Sequence, residues 1–402
     1  MPTKLKRSVS LPILTLYGLG NILGAGIYVL VGKVAGQAGV QAPTSFLVAM
    51  LVAALTAFSY MELSSRFPVS GSVSVYLHKA FGHRGLSVGV GFAIIASGIT
   101  SAAALAQGFA GYARVLVPAS TVLLSVGLIT IIGLLAIKGI KESAIAAAVL
   151  TLIEIGGLML IIWAGRSTIG SFEINSLVPA NPAIGFSGIL GGAFLAFYAF
   201  IGFEDMVNVS EEVKNPRRNM PIAILVALLG ATILYLLVIV VAIGVVQPSE
   251  LAKSTAPLAL VYERAGSHGP LAIIIISMVA AINGVVVQVI MVSRILYGLS
   301  REGWISHSFS KVNSRTKTPI FATLATVGLM IFATIFWPLL SLAQLTSMLV
   351  LGIFCLVNTA LIKIKLTHKD RHDHLKVPLL IPGLGLVCCV GLIAYQIFTI
   401  IK

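Results

Sequence analysis

Long apolar runs, punctuated by small clusters of charge, make up almost the whole chain. Between Arg7 and Lys33 lie 25 uncharged residues, between Lys33 and Glu62 there are 28, and between Arg84 and Arg114 there are 29. Further runs of 23, 30, 31, 29 and 25 lie at Arg114–Lys138, Glu173–Glu204, Arg218–Glu250, Arg264–Arg294 and Lys376–Lys402. A bilayer core of about 30 Å is crossed by roughly 20 apolar helical residues, so each run predicts one span. Glu142 to Arg166 is interrupted only by Glu154 and counts as another. The longest run, 45 residues between Lys317 and Lys363, is twice one crossing and turns at Trp337-Pro338. The pattern therefore predicts an all-α polytopic membrane protein with eleven transmembrane helices.

Composition agrees. Of 402 residues, 58% are hydrophobic and 10% charged, and mean hydropathy is +1.03. A soluble domain carries about 25% charged residues, so an ordinary soluble enzyme is excluded. The 27 Lys+Arg against 13 Asp+Glu give a net charge of +14. With the N-terminus on the cytoplasmic side, 21 of the 27 basic residues fall in inner loops. The positive-inside rule selects that orientation and places the C-terminus outside. The basic residues are scattered over six loops, so the charge predicts contact with anionic lipid and no nucleic-acid partner.

The basic residues before the first apolar stretch give the N-terminus the look of a secretory signal. The stretch is too long and lacks a small-residue cleavage site, so the segment is read as retained. Cys355, Cys388 and Cys389 all fall within predicted spans and form neither a disulfide framework nor a zinc spacing. No loop is long enough for a second domain, so residues 1–402 read as one membrane domain.

Two spans are damaged in corresponding places. The first contains Gly18, Gly20, Gly24 and Gly26 within nine residues, and the sixth contains Phe200-Ile-Gly-Phe-Glu204-Asp205. Irregular backbone in lipid is tolerated only where it lines a protein-enclosed cavity. Gly20 and Gly24 also fit small-residue helix packing, and the Gly-x-Gly pairs lack the preceding strand that a dinucleotide site needs. Gly24 and Gly202 lie 178 residues apart, each in the first helix of a five-helix block. Such a pair points to an inverted-repeat transporter with a site at the membrane midplane. The repeats are expected at about 12–166 and 185–365, and an extra helix at about 377–401.

The first span, Gly20-Asn-Ile-Leu-Gly-Ala-Gly-Ile-Tyr28, resembles the opening helix of amino-acid permeases of the amino acid, polyamine and organocation superfamily. Phe200-Ile-Gly-Phe-Glu204, then Glu211-Glu-Val-Lys-Asn-Pro-Arg217 and Met220-Pro-Ile-Ala223, is similar to that family's most specific stretch. Ser293-Arg-Ile-Leu-Tyr297 with Arg301-Glu-Gly303 resembles its eighth-helix ending, and Ala106-Gln-Gly-Phe-Ala-Gly-Tyr112 is similar to the cationic amino-acid branch. The matches run in order from about residue 10 to 365. Departures are Ser72 and Ser74, where the family usually has glycine and tyrosine, and Ala25, where many relatives carry a hydroxyl. The chain ends after eleven predicted helices where twelve are common, so the resemblance leaves the oligomeric state open. It implies a LeuT-like five-plus-five inverted repeat plus one helix, working by alternating access in the cell membrane.

An amino acid is a zwitterion and needs donors for its carboxylate and acceptors for its ammonium in a dry pocket. The amides of Ala25, Gly26 and Ile27 start the second half of the first helix, where the dipole favours an anion. Carbonyls freed at Ile22, Tyr198 and Ile201 are the expected ammonium acceptors, beside Gly24 and Gly202. The resemblance gives Tyr198 the role of a gating aromatic; its plainer role is a core or interface ring.

Four carboxylates lie in or beside spans: Glu62, Glu154, Glu204 and Asp205. Glu62 reads as an ion pair with Arg66 four residues on, and Asp205 as facing water. Glu204 matches a family position implicated in gating or proton linkage. Glu154 lies mid-span, where a charge is poorly solvated, and reads directly as a proton carrier. Proton-coupled relatives hold a lysine there, so a sodium site is the alternative; the eighth helix offers only Ser277 and Ser293 for it. His368, His372 and His374 have metal-compatible spacing, but a solvated basic loop is the expected state, with no metal and no cofactor. No Walker loop or HExxH motif supports ATP-driven transport or hydrolysis. A channel, an amino-acid sensor and a polyamine or other organocation carrier are the competing functions. Neutral amino acids fit the small apolar third helix, and arginine or lysine stay as candidates.

Overall fold

The computed structural model describes residues 7–68, 72–138, 144–170, 172–173, 177–178, 182–266, 269–367 and 375–401. His368, His372 and His374 fall outside them. The described residues are all-α, with a single isolated β-bridge between Val9 and Val213.

The first block comprises α1 (Leu11–Ala38), α2 (Ala42–Arg66), the short α3 (Ser72–Phe81), α4 (Arg84–Ala113), α5 (Thr121–Lys138) and α6 (Ala144–Ala164). After the short α7 (Arg166–Gly170), the second block comprises α8 (Pro182–Phe200), α9 (Pro216–Val245), the short α10 (Pro248–Lys253) and α11 (Pro257–Arg264), α12 (Leu271–Arg301), α13 (Ile320–Phe336) and α14 (Leu339–Thr367). The last helix is α15 (Leu380–Ile401). Among the described residues nine helical segments are long and apolar enough to cross a membrane. The first of them, Gly26–Arg66, joins the second half of α1 to α2, while Leu11–Gly24 and Ile320–Phe336 are shorter apolar helices. This is a multi-pass membrane protein.

Helices that hold the same place in the two blocks pack on one another: α1 on α8, α2 on α9, α4 on α12, and α5 on α13. The cross contacts are reciprocal as well, α1 with α9 and α2 with α8.

Both opening helices are interrupted. Gly24 has non-helical angles (φ −2°, ψ −167°) in the middle of α1. Helix α8 ends at Phe200, and after Gly202 (φ 131°) the chain continues as a 3₁₀ segment, Phe203–Glu212. The positive φ is what demands glycine there. A Cβ at Gly202 would also stand 2.4 Å from the Asn21 carbonyl oxygen, so the two interruptions touch. Beyond them, Val9 N–H donates to Glu212 O (3.0 Å) and Lys214 N–H to Val9 O (2.9 Å), which ties the residues before α1 to the end of the 3₁₀ segment.

Candidate functional site

The crossing of the two interruptions is held from a third helix. Tyr235 of α9 is fully buried, and its Oη lies 2.6 Å from Ile22 O and 2.9 Å from Ala199 O. An α-helical carbonyl at residue i accepts from the amide at i+4, so breaks at Gly24 and Gly202 deprive these two carbonyls of their partners. The tyrosine hydroxyl serves both. One of the carbonyls read as an acceptor for an ammonium, Ile22 O, is therefore already engaged through one lone pair. Tyr198 O, the second, accepts from Ile201 N–H at 3.3 Å in a tight turn.

A small cavity of about 50 Å³ sits at the crossing. Ile22, Gly24, Gly26, Tyr198, Ile201 and Gly202 all line it, so main chain from both breaks forms one wall. Ala25 and Ile27 are in α1 just past the break, and Ile27 is fully buried in the apolar core. Helices α4 and α12 build the opposite wall with Ser101, Leu105, Asn283, Gly284, Val287 and Gln288. Tyr198 Oη is 3.1 Å from Ser101 Oγ, so this aromatic spans the cavity and ties α8 to α4.

The small cavity adjoins a larger one of about 480 Å³. Ser101, Ile201, Asp205, Val287 and Gln288 line both. The larger cavity reaches Val9 and Glu212 at the N-terminal end of the molecule, and exposed Asn208 and Arg294 stand at its rim. Its volume falls within the 300–1,000 Å³ range of small-molecule sites. Three carboxylates, Glu204, Asp205 and Glu212, line it against the single guanidinium of Arg294. Asp205, expected in water, thus belongs to the cavity wall. Glu204 Oε2 accepts from Gly202 N–H at 2.8 Å and so caps the break.

The opposite end is covered. Helices α10 and α11 lie directly on the second half of α1, where a Cβ at Gly32 would stand 2.4 Å from Leu251 O. Lys33 Nζ donates to Ala252 O, and Tyr112 Oη donates to Tyr28 O at 2.6 Å. These contacts cover the second half of α1.

Glu154 lies outside both linings. Its side chain is wholly buried on α6, its Oε1 is 3.4 Å from Asn283 Nδ2, and its Oε2 has no partner among the described residues. Tyr28 Oη donates to its main-chain carbonyl at 2.6 Å. Ser277 and Ser293 of α12 donate to the carbonyls of Ile273 and Ile290 in their own helix, so neither turns toward Glu154.

Sequence reasoning missed the carboxamides. Asn21, Asn283 and Gln288 all line the small cavity, and Asn21 Nδ2 and Gln288 Oε1 are buried with no partner among the described residues. A signal existed: Asn21 is a lone carboxamide in the first apolar span, and Asn283 and Gln288 are a pair in the eighth, expensive for the same reason as a charge.

The chain is similar over most of its length to known membrane transporters. The chain is 31% identical to the branched-chain amino acid permease BcaP of Bacillus subtilis (strain 168), over 97% of its own length and 88% of that protein's. It is 31% identical to the methylthioribose transporter of the same organism, over 93% and 84%. It is also 31% identical to cationic amino acid transporter 3, mitochondrial, of Arabidopsis thaliana, over 90% of this chain and 63% of the longer plant protein. Residues 10–401 match the amino acid permease family throughout, and the chain belongs to that family, a membrane permease of the amino acid, polyamine and organocation superfamily and not an enzyme.

Proposed function

We propose that this chain carries amino acids across the cell membrane as a secondary transporter working by alternating access, with eleven crossings in a LeuT-like five-plus-five inverted repeat and α15 as the extra helix. One observation carries the reading: two interrupted helices touch at Gly202 and Asn21, and main chain from both lines one cavity. Interrupted helices supply donors and acceptors together, which a zwitterion requires. The pairing of equivalent helices from the two blocks supports the repeat, with boundaries at about 12–166 and 185–365. The distribution of basic residues supports a cytoplasmic N-terminus and an extracytoplasmic C-terminus, so the cavity faces inward.

The α-carboxylate is bound by amides of Ala25, Gly26 and Ile27 at the start of the second half of α1. The ammonium is bound by remaining acceptor capacity at Ile22 and by the turned backbone from Tyr198 to Gly202. Tyr198 closes over the cargo. Glu154 carries the coupling proton; sodium is the less favoured ion, since the α12 hydroxyls are engaged within their own helix. Proton symport and exchange are both compatible with one such site. Glu204 couples the α8 break to the cavity.

The excess of carboxylates on the cavity wall favours a cationic side chain, and this second reading rests on Glu204, Asp205 and Glu212 facing Arg294. Radiolabelled uptake into proteoliposomes, scanned over the twenty amino acids and spermidine with and without a pH gradient, tests both. Accumulation or exchange of an amino acid supports transport. Binding without uptake assigns a sensor, and uptake of spermidine alone assigns a polyamine carrier.

A further inference from the structure

Glu154 lines neither cavity, yet one side chain that lines the small one reaches it. Asn283 of α12 lines the small cavity beside Gly24 and Gly26 of α1, and its Nδ2 is 3.4 Å from Glu154 Oε1. Glu154 Oε2 faces no partner among the described residues. A carboxamide is asymmetric: one end only accepts hydrogen bonds and the other only donates. An ionised carboxylate only accepts, so it holds the Nδ2 end and leaves Asn283 Oδ1 as the end available to the cavity. A protonated carboxyl keeps one acceptor oxygen and gains an O–H donor, and the partner for that donor on Asn283 is Oδ1.

We propose that Asn283 is a positioning residue that reports the protonation of Glu154 to the binding site by turning its side-chain amide through half a revolution. With Glu154 ionised, the wall at Asn283 offers an acceptor backed by a negative charge. With Glu154 neutral, it offers the Nδ2 donor and the charge is gone. A carboxylate bound at the start of the second half of α1 is repelled in the first state and hydrogen-bonded in the second. Proton and cargo therefore bind with positive cooperativity, as symport requires. The inference rests on the reading of this site as an amino-acid site.

The surroundings of Glu154 leave this amide as the route. Helices α1, α9, α11 and α12 pack against α6. From α1 and α9 the titratable groups close enough to feel the Glu154 charge are the phenols of Tyr28 and Tyr235, both hydrogen-bonded to main-chain carbonyls. Lys33 of α1 is engaged with Ala252 O. Arg217 and Arg218 of α9, Glu263 and Arg264 of α11, and Arg294 and Arg301 of α12 are exposed.

The test is equilibrium binding of L-leucine and L-arginine, with L-leucinamide and L-argininamide as probes lacking the carboxylate, to purified wild type, Asn283→Leu and Asn283→Ser between pH 5 and 9. Thermal unfolding in the same detergent selects variants that are folded, and the serine variant carries the test if the leucine variant is not. In wild type the Kd for at least one amino acid falls with pH by up to about tenfold per unit, the limit for one linked proton. The carboxamide probes do not bind more tightly as pH falls. In the Asn283 variants binding is weaker overall and changes less than about twofold across the range. A wild-type slope retained in a folded Asn283 variant overturns the relay, as does pH-independent binding in wild type; in either case the amino-acid site stands. Absence of binding and uptake of any amino acid by wild type overturns the site reading itself.

Discussion

The Tyr235 hydroxyl lies 2.6 Å from the carbonyl oxygen of Ile22, 213 residues away in sequence, and reaches Ala199 O at 2.9 Å from the same position. A single proton thus joins the two helix breaks from a helix that is itself unbroken. The ring is fixed by a tilted contact with Phe46 and an edge contact with Phe200 (centroids 5.9 and 5.2 Å). The two breaks are positioned relative to each other by α9, so the geometry of the main-chain wall depends on a residue that does not line the cavity.

Tyr235→Phe preserves the ring contacts and removes the hydroxyl alone. Leaving a buried carbonyl unsatisfied costs about 1–3 kcal/mol. Transport should fall by roughly tenfold or more, since each 1.4 kcal/mol is a factor of ten. Initial uptake rates against substrate concentration, alongside thermal unfolding, check this; an unchanged rate at unchanged stability would show that the breaks hold their register without the bridge.

Gly202→Ala should be severe. The φ of 131° disfavours any side chain, and the new methyl would meet Asn21 O at 2.4 Å, a backbone atom that cannot rotate away. Strain of this kind costs roughly 1–3 kcal/mol, and it acts where the two breaks touch, so uptake should be lost together with some thermal stability. Gly156→Ala, with nothing within 4 Å of the new methyl, is the matched control and should behave as wild type.

How much of this was legible in sequence depends on distance along the chain. Charge-free runs marked the long helices because lipid penalises every exposed charge within a crossing, and that penalty is local. Gly24 and Gly202 were legible as breaks for a similar reason: glycine in a helix interior is a local anomaly. The loop helices α3, α10 and α11 went unread, because they are short and lie in polar stretches where no periodicity distinguishes them. Contacts across hundreds of residues left no trace. Nothing near Ile22 announces Tyr235, and nothing near Glu62 announces Lys365. Glu204 was read as a gating or proton-linked acid, and the structure adds a local task, since it caps Gly202 two residues away.

Glu62 illustrates the point and yields a stability prediction. The pair with Arg66 is present at 2.6 Å, but the fully buried carboxylate also receives Lys365 Nζ of α14 at 2.8 Å from both oxygens and the Val377 amide at 2.8 Å. It therefore fastens α2 to α14 and to the segment that leads into α15. Removing one member of a buried ionic cluster leaves the others uncompensated, at a cost of roughly 3 kcal/mol. Glu62→Gln should lower the unfolding temperature in detergent by several degrees. The double variant Glu62→Gln, Lys365→Met should recover part of the loss, because it withdraws an uncompensated cation; no recovery would mean that Lys365 is solvated independently of Glu62.

Glu154→Gln separates coupling from carriage. The glutamine keeps the shape of the buried side chain and can still meet Asn283, but it cannot bind or release a proton in the working pH range. Accumulation driven by an imposed pH gradient requires that exchange of a proton, whereas counterflow between labelled and unlabelled amino acid on opposite sides requires only that the loaded site reorients. The variant should therefore lose gradient-driven accumulation and the pH dependence of uptake while retaining counterflow. The sign follows from the neutral side chain: glutamine mimics the protonated state, so the variant at alkaline pH should bind amino acid as wild type does at acid pH. Parallel measurements in proteoliposomes with the interior buffered above and below the external pH give both quantities from one preparation. Undiminished gradient-driven accumulation in the variant would remove Glu154 from the coupling mechanism and leave Glu204 and Asp205 of the cavity wall as the acids to examine.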